Sequence, residues 1–166
     1  MLQVKNILVP IDFSANSGGI FELGHCMAQH THATLHLIHI IDPIYYEKQQ
    51  SEVTDLSFIH KMRLENAKEE LRKFKIELPY SDVDIIEVLL EGIPHKEILK
   101  YAKQNEIDMI IIGSHGWTNV TRNVMGSIAD KIMKQSDIPV ICLKSNVPMI
   151  KSRPLRKQNF AENLIR

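Results

Sequence analysis

The chain of 166 residues has only two cysteines, Cys26 and Cys142. Both sit in apolar patterns, which predicts buried thiols and not a disulfide framework. No net charge remains, since 20 Lys and Arg balance 20 Asp and Glu. Bulk electrostatics therefore does not call for nucleic acid or an anionic membrane surface as a partner. No apolar run approaches membrane-spanning length, and residues 1–6 enter an apolar strand pattern without a signal-peptide core. The expected compartment is the cytoplasm. No Gly-x4-Gly-Lys-Ser/Thr loop occurs, which argues against ordinary NTPase chemistry. No internal repeat is visible.

What is present is ordinary globular composition, 44% hydrophobic and 24% charged residues, in a chain long enough to bury a sizeable core. Asn6-Ile-Leu-Val-Pro-Ile11 is a continuous apolar run closed by Asp12, and it predicts a central strand buried on both faces. Pro10 removes one ladder donor, a cost tolerable near a strand end. Beyond Ser14 the stripe Ile20, Leu23, Gly24, Met27, Ala28 predicts an amphipathic helix capped by Ser14 or Asn16. Residues 33–41 predict a second strand. A polar segment from Pro43 leads to a helix over residues 57–78 with Ile59, Met62, Ala67, Leu71 and Phe74 inward, stopped by Pro79. Residues 84–90 predict a third strand, Gly92 a turn, and Pro94 the first turn of a third helix. Met109-Ile-Ile-Ile112 ends at Gly113 as a fourth strand. A fourth helix opens at Gly126-Ser127 and is expected to bury Ile128, Ala129, Ile132 and Met133. Pro139-Val-Ile-Cys-Leu143 is the fifth strand.

Strict alternation of strand and helix predicts an α/β fold, an open doubly wound parallel sheet with helices on both faces. Residues 1–145 read as one domain. Residues 146–166 hold five Lys or Arg and one acid, a net of +4, and read as a basic C-terminal tail.

In doubly wound sheets, ligands bind beyond the carboxyl ends of the strands. Asp12 and Gly113 both stand at such ends. Gly113 and Gly116 let the backbone turn and approach a ligand without a Cβ in the way. Gly126-Ser127 opens a helix, whose first amides and positive dipole end suit an anion. Ser127 adds a hydroxyl, and Arg122 in the intervening loop is a candidate partner for an outer phosphate. The plain alternative is that these are turn glycines. Together they predict a phosphate-binding loop and an adenine nucleotide as ligand.

Other candidates are weaker. Ser17-Gly-Gly19 lacks the Asp and Ser that would continue an ATP-pyrophosphatase loop. His25, Cys26, His30 and His32 match no standard zinc spacing, and a helix would split their directions. His36 and His39 are three apart on a strand and should face opposite sides. His115 is the one histidine expected beside the ligand. No general base or catalytic triad stands out.

The spacing Gly-x2-Gly-x9-Gly-Ser from Gly113 to Ser127 resembles the nucleotide-binding pattern of the universal stress protein family. So do the opening Asn6-Ile-Leu-Val-Pro-Ile-Asp-Phe-Ser14 and the strand ending His39-Ile-Ile-Asp42, and the resemblance spans about residues 3–145. It implies a five-stranded sheet in the order 3-2-1-4-5 and a pocket for ATP, with or without Mg²⁺ or Mn²⁺. It implies that Pro10 and Asp12 flank the adenosine and that the Ile40 backbone meets adenine. Gly113, Ser114, His115, Gly116 and Asn119 would wrap ribose and phosphates, and Gly126, Ser127 and Ile128 would hold phosphates. It further implies a homodimer through the last strand and a sensor or regulator acting on a protein partner in the stress response. An interaction module with a vestigial pocket and a slow ATP hydrolase are the alternatives.

Overall fold

The computed structural model describes residues 3–43, 56–76, 82–116 and 125–144. Five strands run β1 Asn6–Pro10, β2 Thr34–Ile41, β3 Ile85–Glu91, β4 Met109–Gly113 and β5 Val140–Leu143. Four helices alternate with them: α1 Ser17–Thr31, α2 Leu56–Ile76, α3 Pro94–Gln104 and α4 Ser127–Gln135. All pairings are parallel, and the sheet order is β3-β2-β1-β4-β5. Both the α/β class and the strand order agree with the sequence reading.

Strand alternation builds two cores. Ile7, Val9, Leu35, Leu37 and Ile111 face one side, where Ile20, Phe21 and Ala28 of α1 and Leu71 of α2 cover them. Leu8, Ile38, Ile40, Ile110 and Ile112 face the other, under Ile98 and Ala102 of α3 and Ala129 and Ile132 of α4. Pro10 is the last residue of β1, where its missing donor is harmless, and Ile11 resumes the ladder by donating to the Ile38 carbonyl. His36 and His39 do face opposite sides. His36 Nδ1 lies 2.8 Å from the Tyr101 hydroxyl of α3, while His39 packs on Phe13 at a ring separation of 4.2 Å.

Several packing details depart from the expected helical stripes. In α1 the buried arc is Ser17, Ile20, Phe21, Gly24 and Ala28, with Leu23 and Met27 only partly covered. The arc is centred on Gly24, which rides directly over Val9. Cys26 lies two residues beyond Gly24, about 200° around the helix, so it is exposed and not the buried thiol expected. In α2, Ala67 and Leu71 are buried, but Met62 is exposed. Five residues separate Met62 from Ala67, which rotates it well off the inner stripe. The Ile59 and Phe74 side chains, like Pro79, lie outside the described residues. In α4 only Ala129 and Ile132 are buried, whereas Ile128 and Met133 are exposed. This nine-residue helix is covered from one side, and a stripe at i, i+3 is all that fits under it.

Candidate functional site

The strands' carboxyl ends and the helices' amino ends share one rim, and there a cavity of about 620 Å³ opens. That is within the size of small-molecule sites. Ten of the site residues singled out in the sequence line it: Pro10, Asp12, Ile40, Gly113, Ser114, His115, Gly116, Gly126, Ser127 and Ile128. Asn119 and Arg122 lie outside the described residues.

The first wall begins where β1 ends. Phe13 takes a left-handed φ of 60° and turns the chain from the strand toward α1. The Asp12 carboxylate stabilises this turn: its Oδ1 accepts from the Ser14 amide at 3.0 Å and from the Ser17 hydroxyl at 3.1 Å. The side-chain cap expected from Ser14 or Asn16 does not form. Asn16 occupies the cap position without capping, and its Nδ2 donates instead to the His115 carbonyl at 3.4 Å. The start of α1 is thereby tied to the opposite wall.

That second wall is the glycine segment. The Ser114 amide donates to the Leu143 carbonyl at 2.8 Å, extending the β4–β5 ladder, and the Gly126 amide donates to the Ser114 carbonyl at 2.7 Å. Three stretches of chain meet at Ser114, which is buried. A Cβ at Gly126 would stand 3.0 Å from the Ser114 carbonyl oxygen, and one at Gly113 would stand 2.6 Å from Ile20 Cδ1. A Cβ at Gly116 would collide with Asp12 Oδ2. The two walls therefore touch, Asp12 against Gly116. At the α4 start, the Gly126 carbonyl accepts from the Asp130 amide at 3.0 Å. The first-turn amides of Ser127, Ile128 and Ala129 have no intrahelical acceptor, as at any helix start, and no side chain caps them. Such amides favour an anion.

Histidine chemistry at the rim is richer than the sequence suggested. His115 is one of three histidines lining the cavity; the others are His39 and His95. His39 is buried and donates through Nδ1 to the Ile11 carbonyl at 2.9 Å. Burial lowers its pKa, outweighing the opposite pull of that hydrogen bond and the Asp12 charge. His39 is therefore neutral at pH 7. His95 is also held below its ordinary value, first by burial and then by the charges of Lys131 and Lys96. Ile93, Pro94, His95, Ile98, Ala129 and Lys131 line the cavity on the α3 and α4 side. A signal for the first three existed: Gly92-Ile-Pro94 is a strand-to-helix turn, and in a parallel sheet all such turns share one rim. Lys131 carried no signal, because it sits inside a helix.

Around α1, Cys26 Sγ lies 3.7 Å from His30 Nδ1, and that nitrogen is also 2.7 Å from the Cys26 carbonyl. Among the described residues no three His, Cys, Asp or Glu side chains gather as for a metal ion. Among them too, no helix is long and apolar enough to cross a membrane.

Comparison with known proteins decides the family. The pattern of the universal stress protein family matches residues 3–144. The chain belongs to that family. The universal stress protein MJ0577 of Methanocaldococcus jannaschii is 32% identical over 158 residues, covering 86% of this chain and 96% of the relative. A second universal stress protein of that organism, MJ0531, is 28% identical over 140 residues, covering 84% and 82%. The solved structure of MJ0577 superposes with a TM-score of 0.76 at 29% identity, covering 88% of this chain and 99% of that one. UspA of Lactobacillus plantarum superposes with a TM-score of 0.70 at 26% identity, covering 85% and 98%. Universal stress protein structures described in complex with cAMP and, from Archaeoglobus fulgidus, with dAMP share the fold at TM-scores of 0.59, with 17% and 21% identity.

Proposed function

We propose that this universal stress protein belongs to the family's ATP-binding branch and acts as a nucleotide-dependent regulator or sensor in the stress response. The observation that carries the reading is the contact of Asp12 with Gly116 in the wall of a cavity that Ile40 and the α4 amino end also line. It sets a carboxylate suited to ribose or base hydroxyls and amines beside backbone amides suited to phosphates. In this reading Pro10, Asp12 and Ile40 hold the adenosine. Gly113, Ser114, His115, Gly116 and Asn119 surround the ribose and first phosphate. Gly126, Ser127 and Ile128 bind phosphate through backbone amides and the hydroxyl, with Mg²⁺ or Mn²⁺ carried on the phosphates. The relatives solved with cAMP and dAMP support an adenine nucleotide.

Binding changes a surface read by a partner protein. The nucleotide domain spans residues 1–145, and the basic residues 146–166 are an appendage to it. The β5 edge supports a homodimer: Val140, Ile141, Cys142 and Leu143 are all only half-buried, on a strand that pairs on one side only among the described residues. The test is calorimetric titration of ATP into the full chain, with and without Mg²⁺. Saturable binding that Gly126→Val abolishes, with the circular dichroism spectrum unchanged, is expected. No binding at millimolar ATP would sink the reading.

A further inference from the structure

Between the amino ends of α3 and α4, the cavity carries polar chemistry that the adenosine and glycine contacts leave unused. His95 is the second residue of α3, after Pro94, and lines the cavity with only 9% of its surface exposed. Its ring has no hydrogen bond among the described residues. The ring nitrogens open onto the cavity and are not closed off by protein, so a largely buried imidazole with no protein partner is left facing whatever occupies that space. Lys131 lines the same cavity. It has no ion pair among the described residues, in contrast to Lys134 on the same helix, which holds Asp130 at 2.9 Å. Lys131 is near enough to His95 for its charge to act on the ring.

The remaining charges do not neutralise this corner. Glu97 packs toward Gly92 and pairs with Lys100 at 3.6 Å. Asp12 belongs to the far wall, where Ser14 and Ser17 hold its Oδ1. Asp42 also lines the cavity and has an interaction of its own. Beside the pair stand the uncapped first-turn amides of α4. Lys131 follows Ser127 by four residues, about 6 Å along the helix axis. Helical side chains lean toward the amino end, which brings the ammonium back up beside Ser127. An anion on the Ser127 and Ile128 amides would leave its next phosphoryl group next to Lys131 and His95.

We propose that His95 and Lys131 form a subsite for a second phosphoryl group, so that the cavity selects nucleoside di- and triphosphates over monophosphates. This rests on the nucleotide reading above and adds the ligand's phosphate number to it. His95 donates a hydrogen bond through its free N–H, and Lys131 supplies the countercharge.

The experiment is calorimetric titration of the full chain with adenosine, AMP, ADP, ATP and, without any base, sodium tripolyphosphate. ATP and ADP should bind at least about tenfold more tightly than AMP. Lys131→Gln, on an exposed position that cannot unfold the protein, should lower ATP affinity about tenfold and change adenosine affinity less than about twofold. His95→Leu should do the same, and Lys134→Gln, with the same change in net charge, should have no effect. Equal loss for adenosine and ATP in His95→Leu would mean that His95 reads the base, and would overturn the subsite. Equal affinity for AMP and ATP in the wild type would also overturn it, with the nucleotide reading intact. Tripolyphosphate binding that Lys131→Gln removes, in a protein that ignores every nucleoside, would uphold the subsite and sink the adenine reading. Binding of none of the probes would sink both.

Discussion

At Gly24, halfway along α1, an added Cβ would lie 2.5 Å from Val9 Cγ2 and 3.3 Å from Leu35 Cδ1. At Gly116, on the rim, it would strike the carboxylate of Asp12. Both glycines stand where the backbone comes too close to something else for a side chain. In the body that something is an apolar strand, and closeness serves packing. On the rim it is a charged group already held by two hydrogen bonds, and closeness shapes a cavity. The body is dry: Ile7, Leu8, Val9, Leu35, Leu37, Ile38, Ile110 and Ile111 have no exposed surface at all. The rim sets backbone amides and carbonyls and the polar side chains of Asp12, His39, His95, Ser114 and Lys131 among isoleucines and prolines. A fold of this kind separates stability from recognition along the strand axis, with the middle of the sheet serving the first and its carboxyl edge the second.

That separation can be broken experimentally. The largest effect should come from Leu37→Ala, which empties fully buried space and should cost about 2–5 kcal/mol in urea denaturation. The nucleotide affinity of the molecules that remain folded should not change. Gly24→Ala forces α1 away from Val9 and should cost about 1–3 kcal/mol, again without selective loss of binding. Gly116→Ala should reverse the pattern. The loop must shift or Asp12 must release Ser14 and Ser17, so ATP affinity should fall at least about tenfold while the thermal midpoint moves little. A Gly116→Ala protein that is unstable but binds normally would erase the distinction between rim and body.

The smallest effect concerns pH. His25, His36, His39 and His95 are all held below the ordinary histidine pKa by burial. In each, the unfolded chain takes up a proton near pH 6.5 that the folded chain refuses, so stability is full above that pH and falls as pH drops through it. Melting temperature should therefore decrease from pH 7.5 to 5.5, and His39→Asn should flatten part of that slope. A melting temperature that rises on acidification would contradict neutral, buried histidines.

Much of the fold was legible from the chain. The apolar runs ending at Asp12 and Gly113, the Gly92-Ile-Pro94 turn and the Gly126-Ser127 helix start each carry their signal within a few residues, and the structure has its element junctions there. The strand order came from the likeness of whole motifs and not from any single run. What escaped were matters of rotation and neighbourhood. Cys26 looked apolar by context but faces away from Val9. Met62, Ile128 and Met133 looked like core and are exposed. Phe21 did not belong to the expected stripe and is buried.

The site divides in the same way. Glycine, proline and aspartate at strand ends announce themselves, because their effect on the backbone is local. His95 and Lys131 do not, because a histidine or lysine on a helix means nothing until another helix lies beside it. The sequence by itself determined the order of strands and helices, the two-sided burial of β1, and the places where the chain must turn. Only the tertiary structure decided that Asp12 rests on Gly116, that Asn16 reaches His115 instead of capping its own helix, and that three histidines face one cavity. Local preferences act over a turn or a strand pair. Contacts between distant residues are set by strand register and close packing across the whole sheet, which no short stretch of sequence contains.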